Sequence, residues 1–356
     1  MDTRRRPSSN RGRTAQVKNG GDRFTLSRRG FTEVFGAAML AALPGIASAA
    51  AESPGRVIRV GLLLTGFEPT YIQAERAFLE GMRKSGYAEG KNLVLERRYG
   101  QLQTQRIASL ARELAELNLD VIVTACSGTT RAMQRATARV PIVMAGVPDP
   151  VGQGFVQALA RSGSNVTGRS SQARDLVPKM LELLLAAVPN AQTIAVFINT
   201  SSAVQEPMWQ GAVAAAPAFN VRLVRVEVRG PADLDAALDA LAATRADALL
   251  VLPDDPMMFN LRGRLVVAAN QRRLPAIFGM REFVVDGGLM SYGESFPDTW
   301  RQVADHVGKV VNGANPAELP IEQPIQFELV INMKTAAALG LAVPKILLLR
   351  ANETIR

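Results

Sequence analysis

The sequence predicts an α/β protein built from two doubly wound, Rossmann-like lobes. After residue 56, short apolar runs rich in β-branched residues alternate with helical patterns, which is typical of strand–helix–strand units around buried parallel sheets. Two such series follow one another along the chain. About 307 of the 356 residues lie beyond residue 49, enough for two cores, since domains usually contain about 100–200 residues.

The candidate strands divide into a first series of five and a second series of four. In the second series the strand starts are spaced at nearly even intervals, as expected for repeated units of one kind. The strands are predicted at residues 57–64, 93–96, 121–125, 142–145 and 165–168, and then at 194–198, 221–226, 248–252 and 276–278.

The segments between the strands carry apolar residues at helical spacing. Ile107 and Leu114 belong to one such face, and Leu234 and Leu241 to another; both faces are interpreted as core packing. The boundary between the lobes is predicted near residues 168–175, just before a helix.

The C-terminal region contains more elements than the second lobe requires. A short strand at 289–293, an amphipathic helix around Trp300, a strand at 327–332 and a following helix are predicted. We therefore expect the chain to return to the first lobe and leave it again, so that several crossings form a hinge. The predicted lobes are 57–168 with 289–318, and 169–288 with 319–356.

The N-terminal 49 residues have the layout of an export signal. Arg28 and Arg29 precede a short apolar run and then the small residues 47–49, which is the pattern of a twin-arginine-type signal peptide. The apolar run ends near Ile46 and is too short for a membrane-spanning helix, which needs about 20 residues. A cleaved leader and a periplasmic protein are predicted, with a basic tail on a cytoplasmic domain as the alternative.

The charge distribution argues against a nucleic-acid partner. Of the formal net charge of +9, +6 lies in the first 49 residues, which leaves +3 on the remaining chain. A nucleic-acid footprint needs Lys and Arg clustered on a folded face. The lone Cys126 cannot form an internal disulfide and is expected to be a small buried side chain.

Several kinds of chemistry lack the residues they need. The only histidine, His306, is predicted on the solvated face of its helix, so a hydrolase triad has no base. One Cys and one His do not supply the usual ligands of a transition metal, and no phosphate-binding glycine loop is present. No metal, no cofactor and no enzymatic activity are predicted.

The loops after the strands are expected to line a cleft between the lobes, because ligands of doubly wound sheets bind at the carboxyl ends of the strands. Residues 127–130 open a helix directly after a buried strand, so their free N–H groups and hydroxyls fit a carboxylate. An ordinary N-cap at Ser127 explains the same pattern equally well.

Acidic and aromatic residues near the strand ends are further candidates. Asp149 is interpreted first as a helix cap before Pro150. Of Asp254 and Asp255, one is expected to cap a helix and the other to point into the cleft and neutralise an ammonium group. Four aromatic residues lie near loop ends, and core or hinge packing is favoured for each over ligand stacking: Phe67, Tyr71, Trp209 and Tyr292.

Several longer motifs resemble the ABC-transporter substrate-binding proteins of the tryptophan/tyrosine-binding type, a branch of the type 1 periplasmic binding fold. The matching segments are 149–156, 159–161, 165–168, 287–293, 319–324, 327–332 and 334–336. The resemblance covers essentially the whole chain after the leader. It implies two lobes joined by three crossings, closure on a small molecule, and delivery to an ABC permease in the inner membrane.

The resemblance also implies a set of ligand-binding residues, with aromatic amino acids as the ligands of the better-known members and with the ligand carboxylate at residues 127–130. The first loop, 66–70, lacks a clear aromatic-amino-acid signature. The predicted site residues are Phe67, Ser127, Gly128, Thr129, Thr130, Asp149, Ser170, Asn199, Thr200, Ser201, Asp254 and Glu282.

Three functions remain open on the sequence. The favoured one is a monomeric, extracytoplasmic solute-binding protein of an ABC importer, with an amino acid or related compound as ligand. A ligand-sensing partner of a chemoreceptor or sensor kinase would use the same lobes, because fold alone does not fix function. An exported enzyme would need a pair of catalytic carboxylates in the cleft.

Overall fold

A computed structural model describes residues 56–356, so the predicted signal peptide lies outside the described residues. Within them the strands are Ile58–Leu64 (β1), Leu93–Tyr99 (β2), Val121–Thr124 (β3), Ile142–Pro148 (β4), Val166–Ser171 (β5), Thr193–Asn199 (β6), Arg222–Val228 (β7), Ala248–Val251 (β8), Ala276–Phe278 (β9), Met290–Gly293 (β10), Ile321–Glu322 (β11), Glu328–Asn332 (β12) and Glu353–Ile355 (β13). Each predicted strand is present, several of them longer than predicted.

Helices connect these strands in the pattern of strand–helix–strand units. They are Glu68–Lys84 (α1), Thr104–Glu116 (α2), Ser127–Ala136 (α3), Ala173–Ala187 (α4), Gln205–Ala215 (α5), Leu234–Ala243 (α6), Pro256–Asn260 (α7), Arg262–Gln271 (α8), Arg281–Val285 (α9), Phe296–Val311 (α10), Met333–Leu339 (α11) and Lys345–Arg350 (α12). No helix among residues 56–356 has the length and apolar character to cross a membrane.

The strands form two sheets, one in each lobe. The first has the order β11-β5-β4-β3-β1-β2 with parallel pairing throughout. The second has the order β13-β12-β10-β9-β8-β6-β7, in which the β10–β12 pair is antiparallel. Because the central strands are covered on both faces, they are apolar along their length; Val60 and Leu63 lie in different core clusters of the first lobe.

The chain crosses between the lobes three times. It passes from β5 to α4, from β10 to α10 and from β11 to β12, with each crossing only a few residues long. α10 packs against α1 in the first lobe, while α4 packs against the second sheet. Short multiple connections restrict the relative motion of two lobes to a hinge.

The lobe boundaries differ from the predicted ones at each crossing. β5 extends to Ser171 within the first sheet. β10 was assigned to the first lobe but pairs with β9 and β12 of the second, and β11 was assigned to the second lobe but pairs with β5 of the first. Hydrophobic patterning identifies a strand but carries no information on which neighbour it pairs with.

His306 is buried, contrary to the prediction of a solvated side chain. It is only 1% exposed, and its Nε2 lies 3.6 Å from Oε1 of Glu322 on β11. Burial lowers the pKa of His306, and Lys309 and Arg169 act in the same direction, whereas Glu322 opposes them. The face of α10 that the sequence pattern assigned to solvent is covered because β11 returns to the first sheet.

Candidate functional site

A cleft of about 750 Å³ lies between the two lobes, at the carboxyl ends of strands from both sheets. Its volume suits a small molecule. The lining comes from the loops after β1, β3, β4, β6, β7, β8 and β9, from the hinge crossings and from the starts of α2, α3 and α10.

The first-lobe wall is built around the start of α3. Cys126, in extended conformation, occupies the N-cap position that the sequence analysis gave to Ser127, and its N–H donates to Oγ1 of Thr129 at 3.1 Å. The Thr130 hydroxyl bonds with that of Thr124 at 2.7 Å beneath the cleft. These bonds fix the helix start, so that Ser127 and Gly128 line the cleft.

Two side chains that sequence reasoning missed complete this wall. The Gln153 amide donates to the Ser127 hydroxyl at 3.0 Å. The Arg131 guanidinium lies 4.2 Å from the ring centroid of Phe155 and donates to the carbonyl of Gln153 at 2.5 Å. Arg131 therefore presents a positioned positive charge beside the helix N-terminus, and both features favour a negatively charged ligand group.

Cys126 contributes its thiol to the cleft surface. Sγ lies 2.9 Å from Oγ1 of Thr65, the residue that follows β1, and both residues line the cleft. The side chain is half-buried rather than fully buried as expected. Tyr71, which also lines the cleft, packs at 6.3 Å between ring centroids against Trp300 of α10, so its ring belongs to both the core and the site.

The second-lobe wall carries the paired aspartates after β8, of which one caps a helix and the other lies at the cleft, as predicted. Asp255 caps α7, accepting from the Met258 N–H at 2.9 Å, and its other oxygen accepts from the Asn199 amide at 2.8 Å. Asp254 points into the cleft and accepts from the Ser171 hydroxyl.

The backbone of Asp254 is strained, and burial makes the ionisation of its carboxyl unfavourable. Its φ is 61°, in the left-handed region that a non-glycine residue adopts at a cost of about 1 kcal/mol or more. Burial raises the pKa of Asp254 to about 6, while the Ser171 hydrogen bond lowers it and the neighbouring Asp255 adds to the rise. Strain and an unfavourable charge in one residue are typical of a functional site.

Glu294 is a third acidic residue of the cleft, and sequence reasoning missed it. It follows β10 directly, at the second hinge crossing, and Oε1 accepts from the Gln172 N–H at 3.2 Å at the first crossing. Burial raises the pKa of Glu294 to about 7, with Asp254 as the second cause; Gln172, Arg169 and the Thr299 hydroxyl act against the rise.

Five of the predicted site residues line the cleft: Ser127, Gly128, Asn199, Ser201 and Asp254. Thr129 and Thr130 lie directly beneath the surface and shape the start of α3. Asn199 is held by Asp255, and the Ser201 hydroxyl donates to the carbonyl of Arg229 at 2.8 Å.

The other predicted site residues lie outside the lining. Asp149 is exposed, has φ 41° and accepts from the Gly152 N–H at 2.9 Å, so it closes a turn rather than capping a helix. Ser170 is buried on β5, Thr200 is exposed, and Glu282 lies on α9. Phe67, 45% exposed, ends the loop after β1 at the N-cap position of α1.

The lobes touch directly beside the cleft. The Thr70 hydroxyl of α1 donates to Oδ1 of Asn260 on α7 at 2.7 Å, and the Phe67 N–H donates to the same oxygen at 3.3 Å. Aromatic contacts also link the lobes, with ring centroids 5.2 Å apart for Phe259 and Phe296. The two walls therefore face each other at close range.

Within residues 56–356, no group of three or more His, Cys, Asp or Glu side chains is arranged to hold a metal ion. The cleft presents hydroxyls, amides, arginines and carboxylates. Such a set binds and orients a polar ligand by hydrogen bonds and ion pairs.

Two doubly wound lobes that enclose a cleft and share a three-crossing hinge define a two-lobed binding protein of the type 1 periplasmic fold. The chain belongs to the family of ABC transporter substrate binding proteins, whose model matches residues 67–355.

Three known proteins are similar to this chain in sequence or in structure. A tyrosine-binding protein of Clostridioides difficile strain R20291 is 25% identical over 273 residues, which is 77% of this chain and 78% of that protein. A solved conserved domain protein of Vibrio cholerae superposes with a TM-score of 0.78 at 29% identity, covering 84% of this chain and 100% of its own. An ABC domain from Streptococcus pneumoniae in complex with L-Trp gives 0.76 at 23% identity, covering 84% and 99%.

Proposed function

We propose that this chain is the extracytoplasmic solute-binding protein of an ABC importer, which binds an amino acid or related compound between its lobes and delivers it to a membrane permease. The cleft, in a chain of this family, is the observation that carries the proposal. The protein acts as a binder without a covalent step, since its relatives are solute-binding proteins.

The two walls of the cleft support an amino-acid ligand. The start of α3, with Ser127 and Gly128 at the surface and Arg131 beside them, offers N–H groups and positive charge to a carboxylate. Asp254 on the opposite lobe offers a carboxylate to an ammonium group. The tyrosine-binding relative and the neighbour solved with L-Trp make an aromatic amino acid the first ligand to test.

The hinge supplies the mechanism. Ligand contacts to both lobes favour the closed arrangement, in which Asn260 meets Thr70, over an open one. The permease then distinguishes the closed form from the open form. We also propose that residues 1–49 direct export through the twin-arginine route and are cleaved, and that the mature protein works in the periplasm as a monomer.

Thermal unfolding with a panel of ligands tests the proposal. A ligand at 100 times its Kd adds about 2.7 kcal/mol to the free energy of unfolding, which raises the Tm of a chain this size by several degrees. We expect a rise with L-tryptophan or L-tyrosine that Asp254→Ala abolishes and that the exposed-site control Glu116→Gln retains. Recovery of the unchanged compound after release separates binding from turnover. No rise across amino acids, aromatic acids and amines contradicts the amino-acid assignment.

A further inference from the structure

Two acidic side chains from distant parts of the chain share one region of the cleft. Asp254 follows β8 in the second lobe, and Glu294 follows β10 at the second crossing. Both line the cleft, and Asp254 is the second cause, after burial, of the raised pKa of Glu294. Ser171, the last residue of β5, donates to Asp254, and Gln172 of the first crossing donates to Glu294.

Within the part of the chain that the structure describes, neither Asp254 nor Glu294 forms a salt bridge with Lys or Arg. Arg169 is the cation that acts against the raised pKa of Glu294, and its guanidinium is paired with Glu322 of β11 at 3.1 Å. The other cleft arginines lie on α2, on α3 and in the loop after β7. Two carboxylates that share a partly buried space without a counter-ion are destabilising unless a cation or a proton joins them.

We propose that Glu294 and Asp254 together form the subsite for a positively charged nitrogen of the ligand, and that binding of this nitrogen expels a proton from the pair. The inference rests on the proposed function and sharpens it, because it makes a cationic nitrogen a requirement of the ligand. It also assigns to Glu294 a role in specificity, beside the aspartate already considered.

The direction of the pH dependence follows from the pair and the groups around it. Glu294 faces Asp254, Arg169, the Thr299 hydroxyl and the Gln172 N–H, and burial and Asp254 outweigh the others in raising its pKa to about 7. Asp254 follows with a pKa of about 6. A cation binds the ionised pair best, so affinity rises as the pH rises through 6–7 and levels off above about pH 8. Near pH 6.5, binding releases up to about one proton.

Calorimetry with matched ligands tests this. The probes are L-tryptophan with indole-3-propionate, which lacks the amine, and L-tyrosine with 3-(4-hydroxyphenyl)propionate. We expect at least about tenfold tighter binding of the amino acid of a pair at pH 8. Glu294→Gln should remove most of this preference by weakening the amino acid about tenfold while the deaminated probe keeps its Kd. Glu116→Gln, an exposed change at a residue that does not line the cleft, should behave as the wild type.

Proton release supplies a readout that a purely structural role of Glu294 would not change. Titrations at pH 6.5 in buffers of different ionisation enthalpy should show release by the wild type and markedly less by Glu294→Gln. Equal affinity for an amino acid and its deaminated partner leaves solute binding intact and overturns the cation subsite. Unchanged selectivity and unchanged proton release in Glu294→Gln overturn the role of Glu294. Binding of none of the four probes contradicts the amino-acid assignment and this inference together.

Discussion

The two walls of the cleft differ in how their polar groups are satisfied before any ligand arrives. On the first lobe, the hydroxyls of Thr129 and Thr130 and the amide of Gln153 already bond to neighbours around the start of α3. On the second lobe and hinge, Asp254 and Glu294 form no salt bridge within residues 56–356, and burial raises the pKa of both. The polar groups of the first wall are therefore pre-organised at little electrostatic cost. Ionising the carboxyls of the second wall is unfavourable, and a cationic ligand group reduces that cost.

The largest effect on stability is expected at Gly293, which directly precedes Glu294 at the second crossing. Asp254 and Glu294 are called the acidic wall below. A Cβ at Gly293, the last residue of β10, would overlap the carbonyl oxygen of Gly279, a backbone atom that does not move independently. We expect Gly293→Ala to lower the free energy of unfolding by about 3 kcal/mol and the Tm by about 6 °C. Chemical denaturation measures it.

The matched control is Gly263→Ala on α8, where an added Cβ meets nothing within 4 Å. Because alanine favours a helix over glycine, this variant should gain up to about 1 kcal/mol. Equal stability of the two variants would contradict the close backbone approach at the hinge.

A substitution in the first-lobe wall should lower the free energy of unfolding without changing the preference for one ligand over another. Thr130→Val preserves shape but leaves the buried Thr124 hydroxyl without its 2.7 Å partner. We expect a loss of about 2 kcal/mol. The ratio of Kd values for L-tryptophan and indole-3-propionate should stay as in the wild type, since this wall does not contact the amine. A changed ratio would show that the two walls are not independent.

The acidic wall should show the opposite behaviour, with gain of stability and loss of selectivity. At pH 3.5 and below, about one unit under the ordinary Glu pKa of 4.5, Glu294 is largely neutral whether the chain is folded or not, so Glu294→Gln should match the wild type there. Between about pH 4.5 and 7 the carboxyl is ionised in the unfolded chain but still protonated in the folded one, so the wild type loses stability across this interval and the loss is complete above about pH 7. At pH 8 the ligand-free variant should be more stable by about 1 kcal/mol, a figure that allows for solvent screening. Urea unfolding of both proteins at both pH values measures this difference. Equal stability of the wild type and the variant at pH 8 would contradict the claim that ionised Glu294 destabilises the folded chain.

The sequence predicted the parts of the site that are contiguous in the chain and missed those brought together by the crossings. Strand ends placed α3 and the aspartates after β8 correctly, because a buried run followed by a cap is a local signal. Glu294 follows a strand that was also predicted, yet that strand was assigned to the wrong lobe, so its end was not considered as part of the cleft. Arg131 and Gln153 carry no pattern of their own, since their positions depend on Phe155 and the turn after β4.

The smallest expected effect comes from removing the hydrogen bond between the Ser171 hydroxyl and the Asp254 carboxylate. Ser171 donates to Asp254 and thereby lowers its pKa against the rise caused by burial. Ser171→Ala removes only this donor, so the pKa of Asp254 should rise further, and the pH at which L-tryptophan binding becomes half-maximal should move upward by about 0.5 unit. Affinity above pH 8, where both carboxyls are ionised, should change little. A profile that does not move, or that moves to lower pH, would mean that Asp254 is not the group whose ionisation governs binding at this wall.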